Sequence, residues 1–237
     1  MSSATTVDRR TARNGNRVDL LELDRDLARI ADPARRGALG TLWTETIKLE
    51  RGAWEPELRE PPGDHLGYLV VDGLLGRRVF VPDRGRSLEL LGQGDLFRPW
   101  QEDAASFSRV SWTVLEPAAV AILDQSFAAR AREIPELLET LTERALRRSR
   151  RLAVSAAIAN TVGVEDRLLL LLWQLTELWG RKAPGGAMLP FRLSHQTLAD
   201  LVGARRPTVT LALRSLSQRE QLRRGEGGEW LLVGEPP

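Results

Sequence analysis

The stretch from Leu193 to Leu216, LSHQTLADLVGARRPTVTLALRSL, constrains this chain more than any other. Its pattern is that of two short helices joined by a glycine-centred turn. Ser194 stands just before an apolar-periodic run, where its hydroxyl can accept a backbone N–H as an N-cap. Leu198, Leu201 and Val202 then fall three and four residues apart and share one face. Gly203 ends the first helix, because glycine takes left-handed backbone angles without steric cost. Pro207 fits a first helical turn, where its missing N–H does no harm. Val209, Ala212, Leu213 and Leu216 form the inward stripe of the second helix. Arg206, Thr210, Leu211 and Arg214 are left near the outer face. An outward helix that begins with guanidinium and hydroxyl groups can grip phosphate and reach base edges in the major groove of DNA. The competing reading is a generic helical hairpin in a core, its arginines merely solvated.

The flanking sequence argues for the first reading. A β-segment, Met188 to Leu193, precedes the first helix. After the second come Leu222-Arg223-Arg224, a Gly225-Glu226-Gly227-Gly228 turn and Trp230 to Val233, the pattern of a hairpin. A helix-turn-helix followed by a hairpin is a winged helix. Charge agrees with it. Between Arg181 and Arg224 the cations Arg181, Lys182, Arg192, Arg205, Arg206, Arg214, Arg219, Arg223 and Arg224 face only two acids, Asp200 and Glu220. The net charge of the whole chain, +2, decides nothing. A basic module at one end is the electrostatic footprint of a DNA binder. Glu226 and Glu229 weaken it locally, so the wing adds little phosphate grip.

At these residues the chain resembles the Crp/Fnr (cyclic AMP receptor protein-like) family of bacterial transcription regulators. Members typically show a threonine- or serine-led first helix, LA-x-x-x-G, and a recognition helix opening with S-R-x-T-V. The resemblance implies that Arg206 is the main base-reading arginine and that Thr208 contacts phosphate. It further implies that Pro207, Thr210 and Leu211 face the groove, with Arg205, Arg214, Ser194, His195 and Gln196 at the DNA surface. Three residues depart from the pattern. Arg205 stands where a serine N-cap is usual, a loss of roughly 0.5–2 kcal/mol in helix stability, offset if Arg205 makes a phosphate contact of its own. Leu211 replaces a polar or basic reader, so it can meet a thymine methyl group but cannot donate a hydrogen bond. Pro207 likewise cannot replace a glutamate reader. An altered target sequence is expected.

The resemblance extends towards the N-terminus. Between about Leu66 and Leu123 the segments Tyr68–Val71, Arg78–Val81, Leu88–Leu91, Val110–Leu115 and Val120–Leu123 read as short strands, the spacing of a sandwich or barrel. GYLVVDG and LLGQGDLF resemble the cyclic-nucleotide-binding jelly roll of the same family. The nucleotide contacts implied by that likeness are missing. Arg98-Pro99 replaces the Gly-Glu pair that follows the G-D-x-F turn, and Arg109-Val110 replaces the arginine and hydroxyl pair that binds phosphate. Arg98, Arg109 and Ser111 are the candidate effector residues left, either for another anion or as surface groups on strand ends.

Between these parts lies a helical run from Pro135 to about Asn160. Leu138, Leu141, Ala145, Arg148, Leu152, Ser155 and Ala159 follow alternating three- and four-residue steps, a coiled-coil seam with two polar interruptions. The resemblance implies a helix that pairs two subunits, with Leu138, Leu141, Ala145, Leu152 and Ala159 as dimerisation residues. The same stripe must partly pack on its own jelly roll. The RRSRR cluster at 147–151 reads as a mostly solvated face. Val164 to Trp179 reads as the first helix of the DNA-binding domain, and Arg181 to Gly186 as a loop.

The expected fold class is therefore α+β: an N-terminal cyclic-nucleotide-binding-like β jelly roll, a long central dimerisation helix and a C-terminal winged helix-turn-helix. The expected boundaries are 1–17 for a disordered arm and 18–134 for the jelly roll with flanking helices. The central helix takes 135–160 and the DNA-binding domain 161–237. The chain has no cysteine and only two histidines, His65 and His195. Thiol sensing and a cysteine-bound iron–sulfur cluster are excluded, and two separated imidazoles make a poor metal or haem site. No metal and no cofactor are expected. A metal-dependent jelly-roll enzyme needs clustered histidines, and His65 stands alone in that domain, so no catalytic residue is expected. No apolar run approaches the ~18 residues that span a bilayer, and the first residues lack the apolar core of a signal peptide, which gives a cytoplasmic expectation. The expected partners are double-stranded DNA, a second copy in a homodimer and RNA polymerase, with the small-molecule effector unknown. The alternative is a ligand- or protein-binding sensor whose winged helix contacts a partner rather than DNA.

Overall fold

A strong bend in two long strands organises the N-terminal half. The computed structural model describes residues 16–30, 42–57, 63–82, 85–100 and 107–236. The seven strands of the first sheet are β1 (Asn16–Asp19), β2 (Trp43–Leu49), β3 (Gly52–Trp54), β4 (Gly67–Val81), β5 (Gly85–Leu91), β6 (Leu96–Phe97) and β7 (Arg109–Leu123). The main path runs β1-β2-β7-β4-β5, all antiparallel, with β3 on β7 and β6 on β4. The path does not close on itself among the described residues.

β4 and β7 each join two segments that sequence separates. The pairing between them shifts register around Asp72 and Leu74. There Gly73 takes φ 84°, and a Cβ on it would lie 2.1 Å from the carbonyl oxygen of Pro117. Gly73 and Pro117 lie at a bulge that turns the strands without ending them. Alternation along these strands sets two cores on opposite faces of the sheet. Leu69, Val71, Ala121 and Leu123 pack with Phe127, Ile134, Leu137 and Leu141, while Val70, Leu75, Leu91, Phe97, Trp112 and Val120 form the other.

β2 escapes the sequence reading because two of its inward positions are polar. Thr44 and Thr46 are buried, and Thr44 Oγ1 donates to the Ile122 carbonyl at 2.5 Å. Asn16 and Arg17 also pair with β2 in strand β1, so the expected arm gives up its last two residues to the sheet. The rest of the arm, 1–15, lies outside the described residues.

The helices flank and follow this sheet: α1 (Leu20–Leu23), α2 (Arg25–Ile30), α3 (Gln125–Ala131), α4 (Pro135–Ala159) and α5 (Val164–Trp179). Asp124 caps α3, its carboxylate accepting the Phe127 N–H at 2.8 Å. Pro135 opens α4. Then come β8 (Arg181–Ala183), β9 (Gly186–Leu189), α6 (His195–Val202), α7 (Arg206–Gln218), β10 (Leu222–Arg224) and β11 (Trp230–Val233). Arg181 to Gly186 is thus a hairpin rather than a loop, with Arg181 opposite Met188. Its strands complete a four-stranded sheet in the order β10-β11-β9-β8. The β-segment expected at Met188–Leu193 ends at Leu189, because Pro190 cannot donate to a ladder. Leu168, Leu172, Leu198 and Val209 of this C-terminal unit share one core with Leu74, Leu88 and Leu90 of the jelly roll. Among the described residues no helix is long and apolar enough to cross a membrane.

Candidate nucleic-acid interface and the cleft beside the central helix

Local chemistry builds the helix-turn-helix much as the sequence implies. Ser194 Oγ accepts the Thr197 N–H at 3.0 Å and closes the start of α6. Leu198 and Val202 are fully buried, with Leu201 half-buried at the edge. Gly203 sits at φ 62°, ψ 39°, the left-handed geometry that ends α6. Arg205 occupies the N-cap of α7 without a side-chain capping bond. Val209, Ala212, Leu213 and Leu216 are buried beneath α7. Arg205, Arg206, Pro207, Thr208, Thr210, Leu211 and Arg214 are exposed. Leu211 is 68% exposed.

The other α6 candidates divide. His195 Nδ1 lies 2.9 Å from Thr210 Oγ1 and ties α6 to α7. Gln196 turns along its own helix and donates to Asp200 Oδ1 at 2.8 Å. Asp200 has a side chain only 2% exposed and is gripped from the jelly roll by Arg78 at 3.0 Å and Arg86 at 2.7 Å. Sequence reading missed this link, since no local pattern joins β4 and β5 to α6. On the wing, Arg224 stacks over Trp230 at 4.8 Å, while Arg219 pairs with Glu165 at 2.9 Å and serves the fold of its own domain.

The second candidate region is a cleft of about 470 Å3 between α4 and the sheet. Leu66, Phe97, Arg98 and Trp112 line one side, and Leu138, Leu141, Ala145 and Arg148 the other. Arg98 lines the cleft, its Nε donating to the Leu66 carbonyl at 2.9 Å. Arg109 and Ser111 are not among the lining residues. Strand alternation explains this: Trp112 and Val114 point inward along β7, so Arg109 and Ser111 take the opposite, exposed face.

Helix α4 carries the residues sequence reading misplaced. Arg144 donates twice to Asp24, at 2.5 and 2.9 Å. Arg148 forks onto Glu89 at 2.5 and 3.0 Å, and Arg151 reaches Asp95 at 2.9 Å. These arginines are spaced four and three apart on the face that holds Leu137 and Leu141, so they turn inward. Arg148 and Arg151 therefore correct the reading of RRSRR as a mostly solvated face, while Arg147 and Arg150 are exposed. Burial alone would raise the carboxyl of Asp24. The Arg144 guanidinium and the N–H groups of Leu27 and Asp26 outweigh it and hold Asp24 below the usual carboxylate range. At Asp95 burial wins over Arg151 and Arg148, and the carboxyl is raised.

The predicted pairing seam divides in the same way. Leu141 is 3% exposed and belongs to the core of its own jelly roll. Leu138 packs partly against that core. Ala145 and Leu152 are exposed, as are Leu146 and Val154, and Ala159 is half-buried.

A cationic winged helix joined by a long helix to an effector-type jelly roll defines a DNA-binding transcription regulator. Comparison with known proteins makes the class specific. Residues 166–233 match the Crp-like helix-turn-helix domain. A CRP-like cAMP-activated global transcriptional regulator of Mycobacterium tuberculosis is 30% identical over 166 residues, 68% of this chain and 73% of that protein. The cyclic AMP receptor protein of Thermus thermophilus is 26% identical over 162 residues, 68% of this chain and 72% of the other. The fold is similar to that of a cyclic nucleotide-binding domain containing protein from Listeria monocytogenes, with a TM-score of 0.65 at 14% identity, covering 89% and 97% of the two chains. The chain belongs to the Crp/Fnr family of transcription regulators.

Proposed function

We propose that this regulator acts as a homodimer on a pseudo-palindromic DNA site, with one α7 in each half-site. Two-fold symmetry then sets the recognition helices about one DNA turn, roughly 34 Å, apart. The observation that carries the reading is the exposed row Arg206, Thr208, Thr210, Leu211 and Arg214 above a fully buried stripe. Arg206 is the base reader and Thr208 a phosphate contact. Leu211 favours a thymine methyl. The exposed apolar residues of α4, Ala145, Leu152 and Leu146, are the surface offered to the second copy. RNA polymerase is the proposed further partner, in the cytoplasm, and no reaction is catalysed.

The effector pocket is altered. The cleft beside α4 has neither a carboxylate in the Gly-Glu position nor Arg109 on its wall, so the family's usual cyclic AMP contacts do not fit these residues. The cAMP activation named for the mycobacterial relative is not carried over.

Selection from random DNA with purified protein, with and without cyclic AMP and cyclic GMP, tests both parts. The expected result is a two-fold-related consensus that is unchanged by either nucleotide. A nucleotide-dependent gain would refute the altered pocket. Arg206→Ala should cost roughly 1–3 kcal/mol of specific binding and relax one base position per half-site. Specific binding that survives it unchanged removes Arg206 as the reader.

A further inference from the structure

The contact between His195 and Thr210 fixes more than helix packing. Thr210 Oγ1 lies 3.0 Å from the Arg206 carbonyl oxygen and spends its only hydrogen there. Facing His195 at 2.9 Å, the hydroxyl can then only accept, so Nδ1 of the imidazole carries a hydrogen and donates it. In the neutral ring, Nε2 is consequently an acceptor, unsuited to a phosphate oxygen.

From this geometry we propose that His195 is a proton-linked DNA contact: on binding, it takes a proton at Nε2 and donates to a backbone phosphate. The inference rests on the DNA-binding reading above. The charged groups facing His195 from the neighbouring elements are cations and oppose its charge in the free protein. Arg206 lies on α7 and Arg224 on β10, while the Trp230 ring is centred 6.4 Å away on β11. The nearest acid on its own helix, Asp200, is committed to Arg78 and Arg86. Burial, with Arg224 and Arg206 adding to it, lowers the imidazole below its ordinary value of 6.5. A phosphate oxygen at Nε2 reverses the local field and favours the charged ring.

The sign follows from linkage. The complex holds more protons than the free protein, so affinity is greatest at acid pH. It falls as pH rises through the imidazole value in the complex. Each engaged subunit contributes a slope of at most about tenfold in Kd per pH unit. Arginine contacts do not titrate in this range. The only other imidazole is His65, in the jelly roll against Trp100.

The test is fluorescence anisotropy of the full chain on its selected duplex at constant salt, from about pH 5.5 to about pH 8.5, the range in which imidazole changes charge. Wild type and His65→Gln should both weaken as pH rises. His195→Gln should bind at the alkaline level of wild type throughout, and His195→Arg near the acid level throughout. A flat wild-type profile, or a slope that survives His195→Gln, overturns the proposal while leaving DNA binding intact. Affinity that rises with pH also overturns it, because Nε2 would then be accepting from a base amino group. Loss of specific binding at every pH overturns the DNA-binding reading itself.

Discussion

The winged helix and the α4 cleft use the same residue type in opposite ways. On α7, arginines stand in water above a dry apolar stripe, and DNA is their proposed partner. On α4, arginines four and three residues apart turn inward and meet Asp24, Glu89 and Asp95. What separates the two sets is the supply of carboxylates across the interface, not the arginines. Where the fold provides a buried acid, the cation becomes structural. Where it provides none, the cation remains for a ligand.

Substitutions can break or sharpen that contrast. Arg144→Ala leaves Asp24 buried without its counter-ion and should destabilise the fold by about 3–5 kcal/mol, read by denaturant unfolding. Arg214→Ala on the exposed face should change stability by under about 0.5 kcal/mol while weakening DNA binding. Equal effects on stability would end the distinction. Ser194→Ala removes a capping bond and should cost roughly 0.5–2 kcal/mol of stability. The reverse change, Arg205→Ser, should recover a part of that range by supplying the missing cap of α7.

Acid pH offers the subtlest test. Because Asp24 is held below 3.8, its pair contributes fully above that value and is lost as pH falls through the folded value. The stability gap between wild type and Asp24→Asn should therefore close on acidification. Asp95 has the opposite sign. Its raised carboxyl contributes at low pH and loses that contribution as pH rises through the folded value.

The helix-turn-helix was legible in sequence because its determinants are local. Ser194, Gly203 and Pro207 mark the ends and the turn, and the spacing of Val209, Ala212, Leu213 and Leu216 assigns the buried face. The ion pairs of α4 were illegible because their partners are distant. Asp24 and Arg144 lie 120 residues apart, and no periodicity joins them. Leu141 shows a further limit: a three-and-four repeat says that a helix has an apolar stripe, not which surface covers it. β4 and β7 were divided for a related reason, since Gly73 and Pro117 punctuate sequence whether they end a strand or bend it. Arg109 and Ser111 could have been placed correctly from alternation with Trp112.

The grip of Arg78 and Arg86 on Asp200 has a mechanical meaning. His195 and Asp200 are five residues apart on one short helix, about 7.5 Å along a stiff rod. One end is fastened to the β4–β5 edge of the jelly roll, and the other carries the side chain that meets α7. A rotation of that edge would swing the end that meets α7 as a tiller swings a rudder, without a separate relay of residues in between.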